Sequence, residues 1–234
     1  MIVATNDLDR LRHEYARRRA SSFDRETYSV FNKANIFILQ QRQLALLSLL
    51  RQQKKSPQGN AILEIGCGRG GVLIEYLGYG TDASSLYGID LLHDRLVDAR
   101  RRIQDLTLAC ADGQSLPFAH HQFDIVLQYT AFSSILDSAI KRNMAQEMLR
   151  VVKPDGLIIW YDFWLNPTNP QTRGIRKPEI YSLFPGCDFE FKKITLAPPI
   201  ARRLVPVSWI LALLLEKLTI LNTHYLVAIR PKTL

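Results

Sequence analysis

The sequence is poor in the features that would announce several common protein classes. It holds only three cysteines, Cys67, Cys110 and Cys187, and none sits in a C-x-x-C pair. A zinc ribbon and a thioredoxin-type redox motif are therefore excluded. Reduced thiols in a cytoplasmic protein are the expected state, and no metal is expected. Long hydrophobic runs are lacking too. The longest, Trp209 to Leu215, is far short of the roughly 20 residues that span a bilayer. The first residues, MIVATNDLDRLRHEYARRR, carry charge from residue 7 and no apolar stretch, so no signal peptide is read there. No internal repeat or low-complexity tract is visible.

What is present is an ordinary globular composition. The chain has 234 residues, 47% hydrophobic and 22% charged, enough to bury a core without disulfides. The formal charge of +8 is unevenly spread. Residues 1–59 have eleven Lys/Arg against five Asp/Glu, residues 60–165 nine against thirteen, and residues 166–234 ten against four. An acidic middle between two basic flanks suggests an anionic acceptor or an anionic surface.

The pattern divides the chain into an N-terminal helical cap, 1–59, and a domain over 60–234. A helix is expected to Ala20 and a second from near Arg25 to Gln53, followed by the breaker KKSPQG. From residue 60, short apolar runs alternate with helical stretches. Strands are expected at Ala61–Ile65, Leu86–Ile89, Leu106–Cys110, Phe123–Gln128 and Leu157–Phe163. Helices are expected at Val72–Leu77, Asp94–Arg102 and Ile140–Val152. This alternation predicts a doubly wound α/β fold with a mostly parallel sheet. Two late strands, Phe189–Leu196 and Tyr225–Arg230, flank an insertion at about 198–222 with a helix near Val207–Leu218.

The segment Glu64-Ile65-Gly66-Cys67-Gly68-Arg69-Gly70-Gly71 closes a strand and opens a helix. Glycine permits positive φ and close approach of the backbone to a ligand, and the helix N-terminus favours an anionic group. The match to G-x-G-x-x-G also fits nicotinamide folds. Asp90 stands 22 residues after Gly68 at a strand end, where a carboxylate can accept both ribose hydroxyls. Asp112, after the third strand, can accept from an exocyclic amine such as that of adenine.

Taken in order, ILEIGCGRGG, GID, ADGQSLPF, FDIVLQ and MLRVVKPDGLIIW resemble the class I S-adenosylmethionine-dependent methyltransferases of small-molecule type. The resemblance covers about residues 61–163. It implies a Rossmann-like seven-stranded sheet of order 3-2-1-4-5-7-6, with helices on both faces and the last strand antiparallel. It implies S-adenosyl-L-methionine as cofactor. Gly66, Cys67, Gly68 and Gly70 would hold its methionyl part, and Glu64 is the acidic residue beside that loop. Asp90 would bind the ribose, Leu91 would flank the adenine, and Asp112 and Gly113 would line it. Gln128 would reach the methionine carboxylate or amino group. The His pair that related enzymes carry after the fourth strand is replaced by Ser133 and Ser134. The Asn/Asp-Pro-Pro-aromatic motif of adenine N-methylating enzymes is absent.

The acceptor is expected beyond strands four and five. Tyr28, Tyr129, Ser133, Tyr161, Asn166 and Arg173 are candidates to bind it. His224, Asp162 and Tyr129 are the candidate catalytic residues, with a base-free reaction by proximity as the alternative. The expected reaction moves a methyl group to an O or N atom of a small molecule, glycan or lipid-linked metabolite. An RNA methyltransferase and a non-catalytic protein at a membrane surface are the alternatives. RNA is disfavoured because no aromatic-interleaved RNA-binding module is present. The Arg202-Arg203 and Trp209–Leu214 segment fits either a lid or contact with the inner membrane face.

Overall fold

The computed structural model describes residues 2–20, 26–166 and 169–232, with residues 2–6 and 18–20 as backbone only. Two helices lead the chain, α1 (Ile2–Ala20) and α2 (Lys33–Gln52). The α2 helix starts later than the expected Arg25. The Asn32 side chain accepts from the Ala34 and Asn35 N–H groups at 3.0 and 3.2 Å and fixes the first turn, as an N-cap does.

The alternating region follows as β1 (Ile62–Ile65), α3 (Gly71–Gly78), β2 (Leu86–Asp90), α4 (His93–Arg102), β3 (Thr107–Cys110), β4 (Phe123–Tyr129), α5 (Ser138–Val151) and β5 (Val152–Phe163). After it come α6 (Lys177–Leu183), β6 (Cys187–Leu196), α7 (Pro198–Leu204), α8 (Trp209–Glu216) and β7 (Asn222–Pro231). The seven strands form one sheet of order β3-β2-β1-β4-β5-β7-β6. Strands β1 to β5 pair in parallel, and β7 runs antiparallel to both β5 and β6. The expected Rossmann-like arrangement with a reversed last strand is thus observed. Strands β1, β4 and β5 are nearly continuous apolar runs because both faces are covered, as parallel strands require.

Two elements differ from expectation. The insertion holds two short helices, α7 and α8, in place of one. Val205 to Val207 form a turn between them, and the Ser208 hydroxyl caps α8 by accepting from Leu211 N–H at 3.2 Å. Pro206 lies in that turn and cannot donate to a continuous helical ladder. Helix α6 was not expected after the polar loop that ends at Lys177.

The two sheet faces have separate cores. Leu11 of α1 and the buried face of α5 (Ile140, Met144, Met148) cover one, against Val126, Ile158 and Trp160. The α2 residues Leu46, Leu49 and Leu50 cover the other, with Tyr76 of α3, against Ile125, Leu127 and Ile159. A third cluster joins Ala34 and Phe37 of α2 to Ala201, Val205 and Ala212 of the insertion. With both faces covered, the candidate site lies at the rim formed by the carboxyl ends of the parallel strands.

Candidate active site

The glycine loop takes the conformation its residues permit. Gly66, Gly68 and Gly70 have φ of +74°, +54° and +72°, in the region that strains any residue with a Cβ. At Gly66 a Cβ would also meet the Ala131 Cβ at 3.0 Å. Gly70 stands immediately before α3, so the loop delivers the chain directly to that helix's first turn.

Asp90, at the end of β2, ties this loop to the next one. Its Oδ2 accepts the Gly68 N–H at 2.8 Å and its Oδ1 accepts the Leu92 N–H at 2.9 Å. Each carboxylate oxygen keeps a second lone pair for a ligand hydroxyl. Arg95 places a guanidinium nitrogen 3.8 Å from Asp90 Oδ2 and lies over the Tyr15 ring, 4.6 Å from its centroid. Asp112 is held by Gln114, whose backbone N–H and side-chain amide donate to its two oxygens at 2.9 and 3.0 Å.

These groups border a cleft with about 800 Å³ of empty space, counting its open mouth. Gly66, Asp90, Leu91, Asp112, Gly113 and Tyr129 line it, all six being residues singled out from the sequence. Its apolar walls come from Ile65, Ile89, Ile140 and Met144. Helix α1 closes one side with Leu8, Leu11 and Tyr15, which sequence reasoning missed. The strapping is polar. Asp7 Oδ2 accepts the Leu136 and Asp137 N–H groups at 2.8 and 3.0 Å, and Arg10 donates to the Ser134 carbonyl at 2.6 Å. Burial pushes the Asp7 carboxyl up, but these donors and Arg10 outweigh it and hold it below its usual value. Arg95 was missed as well. The available signal was its place one turn into the helix after the β2 carboxylate.

Thr130 also lines the cleft, with φ of +56°. A β-branched residue in that region is an outlier, and such strain concentrates at functional sites. Its N–H donates to the Tyr161 carbonyl at 2.8 Å, and its hydroxyl donates to the Tyr129 carbonyl at 2.8 Å, which locks the turn after β4.

The remaining candidates are distributed elsewhere. Glu64, at 2% exposure, points to the α2 side of the sheet with Oε2 unpartnered. Burial pushes its carboxyl up to about 8, against the opposing pull of Arg42. Cys67 is buried and its thiol is pushed up by burial first. Gln128 is fully buried. Its Oε1 accepts the Ala131 N–H at 3.2 Å, and its Nε2 has no partner.

The candidate catalytic residues are not gathered at the cleft, apart from Tyr129. His224 is buried on the α2 face. It stacks on Tyr161 at 4.7 Å between centroids, its Nδ1 lies 3.1 Å from the Thr223 hydroxyl, and burial pushes its pKa down to about 3. This corrects the expectation that it stands as a base beside the acceptor: the imidazole is enclosed against Tyr161 and Phe163 and does not line the cleft. Asp162 is fully buried and anchors the β4–α5 loop, accepting the Ser133 N–H at 3.0 Å and the Phe163 N–H at 2.8 Å. Burial raises its pKa to about 6 against these donors.

Of the proposed acceptor contacts, Tyr161 is turned away from the cleft. Its hydroxyl lies 2.8 Å from that of Thr195. Asn166 donates to the Thr172 hydroxyl at 2.8 Å and borders a second, open depression with Arg173 and Arg176. Tyr28 is exposed, outside both.

The cleft fits an adenosyl ligand with a charged tail. It offers a carboxylate with free lone pairs at Asp90, an acceptor at Asp112, apolar walls for a flat ring, and a glycine cradle that a Cβ at position 66 would fill. Close by, Gln128 Nε2 is an orphaned buried donor of the kind a carboxylate satisfies.

Comparison with known proteins agrees. Residues 62–156 match the family described as a methyltransferase domain. A phthiotriol/phenolphthiotriol dimycocerosates methyltransferase of Mycobacterium ulcerans is 33% identical over 113 residues, covering 47% of this chain and 40% of that protein. A fatty-acid O-methyltransferase of Mycolicibacterium smegmatis is 33% identical over 113 residues, covering 45% and 38%. The matched stretch thus spans about two-fifths of these relatives. The S-adenosylmethionine-dependent methyltransferase structure from Mesorhizobium loti superposes with a TM-score of 0.56 at 16% identity, covering 80% of this chain and 97% of that one. Residues 62–156 thus match a methyltransferase domain, the sheet has the fold of S-adenosylmethionine-dependent methyltransferase structures, and the residues of the cleft fit S-adenosylmethionine as cofactor.

Proposed function

We propose that the chain transfers a methyl group to an O or N atom of a small, lipid-like acceptor. The observation that carries this reading is the cleft at the carboxyl rim, where Asp90 bridges the glycine loop and the β2 turn while keeping lone pairs free. When bound, S-adenosylmethionine supplies an electrophilic methyl carbon on a positively charged sulfur.

The chain's own residues do the rest by holding and excluding. Asp90 fixes the ribose, and Asp112 with Gly113 fixes the adenine edge. The Gly66–Gly70 loop and Gln128 take the amino-acid tail. Residues 1–59 act as a cap on the 60–234 domain, with α1 excluding water from the cleft through Leu8, Leu11 and Tyr15. The acceptor enters along Tyr129, Thr130, Ala131 and Ser134, the rim of β4 that the cleft exposes. Among the described residues no carboxylate or imidazole lines that rim except those assigned to the cofactor. Rate enhancement then comes from approach and orientation, and the acceptor's proton leaves to solvent. Both curated relatives carry names of lipid methylation, which supports an acceptor of that chemistry.

Isothermal titration with S-adenosylhomocysteine tests the reading. Micromolar binding that falls at least a hundredfold in Asp90→Ala is expected. Absence of binding by the wild-type chain overturns it. Tritiated S-adenosylmethionine with fatty acids, quinols and amines then identifies the methylated atom.

A further inference from the structure

The insertion between β6 and β7 has an outer face that the fold leaves uncovered. Its inner face is already complete. Ala201, Val205 and Ala212 are buried against Leu196 and the α2 residues Ala34 and Phe37, and Trp209 meets the Phe37 ring edge-on at 5.1 Å. Helix α8 is apolar all round, from Trp209 to Leu215. A helix of that kind needs cover on both sides, and only one side has it.

On the outer side Val207, Ile210, Leu211, Leu214, Leu218 and Ile220 are exposed, with Val207 at 82%, Ile210 at 72% and Ile220 at 81%. Within α8 the spacing of Leu211 and Leu214 puts them on one side of the helix, and Val207 and Leu218 flank its two ends. The N-terminal connection extends this surface. Tyr28, Val30 and Phe31 are exposed, Phe31 at 92%. A surface depression lined by Glu26, Thr27, Asn32, Lys33, Arg202 and Pro206 joins the two segments. Scattered exposed apolar residues are ordinary, but a contiguous group of this size marks an interaction surface.

Charge selects the occupant. Within the insertion the exposed ionic side chains are Arg202, Arg203 and Lys217, and Lys33 adds a fourth cation from the neighbouring segment. The insertion's one acid, Glu216, is turned inward, its carboxylate accepting the Thr195 N–H at 3.1 Å. Among the described residues Glu26 is the one exposed acid lining the depression. An apolar face rimmed by cations is complementary to lipid tails beneath anionic headgroups. No described helix is long and apolar enough to cross a membrane, so the contact is with a surface. The placement is consistent as well. Strand β6 runs parallel to β5, so the insertion springs from the same carboxyl rim that carries the cleft.

We propose that the outer face of α7 and α8, together with Tyr28, Val30 and Phe31, docks the protein on an anionic lipid bilayer. The docking is independent of methyl transfer and can be tested without an acceptor. The full chain is sedimented with phosphatidylcholine vesicles, with and without phosphatidylglycerol. Binding to the anionic vesicles is expected, at least tenfold stronger than to neutral ones and weakened by salt. The double variant Ile210→Glu/Leu214→Glu should lose at least tenfold in vesicle binding. Its melting temperature and its affinity for S-adenosylhomocysteine should stay unchanged, since both side chains are exposed and remote from Asp90. Arg202→Gln/Arg203→Gln should lose severalfold.

Wild-type chain that stays in the supernatant with anionic vesicles overturns the proposal. So does a wild-type dimer in light scattering that Ile210→Glu converts to monomer without any vesicle binding, which assigns the face to a second copy. The arms separate this inference from the methyltransferase reading. Cofactor binding without vesicle binding removes only the docking, and vesicle binding without cofactor binding removes only the enzyme.

Discussion

At the carboxyl rim the two faces of the sheet are built on opposite terms. On the α5 side the polar groups are arranged for a visitor. Asp90 and Asp112 are each held by loop donors while keeping capacity toward the cleft. On the α2 side the polar groups are sealed in. Arg42 of α2 pairs with Glu75 of α3 and lies over the Tyr129 and Tyr161 rings, 5.1 and 5.5 Å from their centroids. Glu64 and His224 share that space, and Arg42 Nε, Glu64 Oε2, Glu75 Oε2 and Tyr129 Oη lack full hydrogen-bond partners. Tyr129 belongs to both regions, with its ring in the sealed cluster and its residue lining the cleft. The difference teaches that polar groups on the open side keep hydrogen-bonding capacity toward the cleft, while those on the sealed side are committed to one another.

The largest effect should come from breaking the sealed side. Arg42→Ala leaves Glu75 without its cation and removes the only described guanidinium over the two tyrosines. Loss of one partner from a largely buried pair costs about 3 kcal/mol, readable as a drop in urea midpoint at constant slope. Arg42→Met with Glu75→Leu should recover most of it, because removing both charges removes the unpaired one. Equal instability of the single and double variants would mean that packing, not charge, holds α2 to α3.

The open side should respond in binding before it responds in stability. Asp90→Ala removes a charged acceptor for two ribose hydroxyls, about 3 kcal/mol or a hundredfold in affinity for S-adenosylhomocysteine. Asp90→Asn keeps the geometry and should retain part of it. A melting temperature that falls as much as the affinity would show that Asp90 is chiefly a loop clamp for Gly68 and Leu92.

The contrast was only half legible in the sequence. The cleft was, because its residues sit at strand ends whose strands announce themselves: ILEI and LYGID are short apolar runs closed by Gly66 and Asp90, and FDIVLQ is a third such run. Local chemistry fixes such positions, so Gly66, Asp90, Asp112 and Gly113 were found. The sealed cluster was not, because Arg42, Glu75, Tyr129 and His224 come from four elements that only the packing of α2 onto the sheet brings together. His224 drew attention as a titratable residue opening a strand. Burial decides its role, and burial of one strand end depends on a helix some 180 residues earlier in the chain. A helical cap over 1–59 was expected, but the α1 residues that line the cleft, Leu8, Leu11 and Tyr15, escaped for the same reason. The contact of α1 with the cleft rests on Asp7 meeting two N–H groups near residue 136. Helix α7 was missed because the expected helix began near Val207, after Pro206, and the short run PPIARRL before it is opened by two prolines.

A pH scan sharpens the comparison next. Burial raises Glu64 from 4.5 to about 8, so the folded chain binds that proton more tightly than the unfolded one. The resulting stability is complete below about pH 4.5 and is lost as pH rises through about 8. His224 has the opposite sign. Lowered from 6.5 to about 3, it contributes stability above pH 6.5 that is lost as pH falls. Asp162 and Glu216, both raised to about 6 by burial, have finished titrating by pH 7. The window from pH 7 to 9 is therefore dominated by Glu64, with Glu75 and the thiols of Cys67 and Cys187, all raised by burial, adding a fall of the same sign. Wild-type melting temperature should fall across it by the equivalent of about 1–2 kcal/mol, and Glu64→Gln should flatten most of the fall.

The smallest effect should come from Gly113, and it reports on the cleft alone. A Cβ there would meet the Met144 Cε at 2.9 Å and Cγ at 3.2 Å, with Ile65 Cγ2 at 3.4 Å. Unlike Gly66, Gly113 needs no positive φ, so the substitution meets side chains and not backbone strain. Methionine has three rotatable bonds and yields by changing rotamer, so the stability of Gly113→Ala should change by less than about 1 kcal/mol. Met144 nonetheless forms one wall of the space assigned to adenine, and a methyl group that displaces it narrows that space. S-adenosylhomocysteine should bind several-fold more weakly to Gly113→Ala, and Gly113→Ala/Met144→Ala should regain affinity by reopening the wall. If the single variant binds as the wild type does, the adenine does not rest on the Gly113–Met144 wall, and Asp112 loses its assigned partner with it.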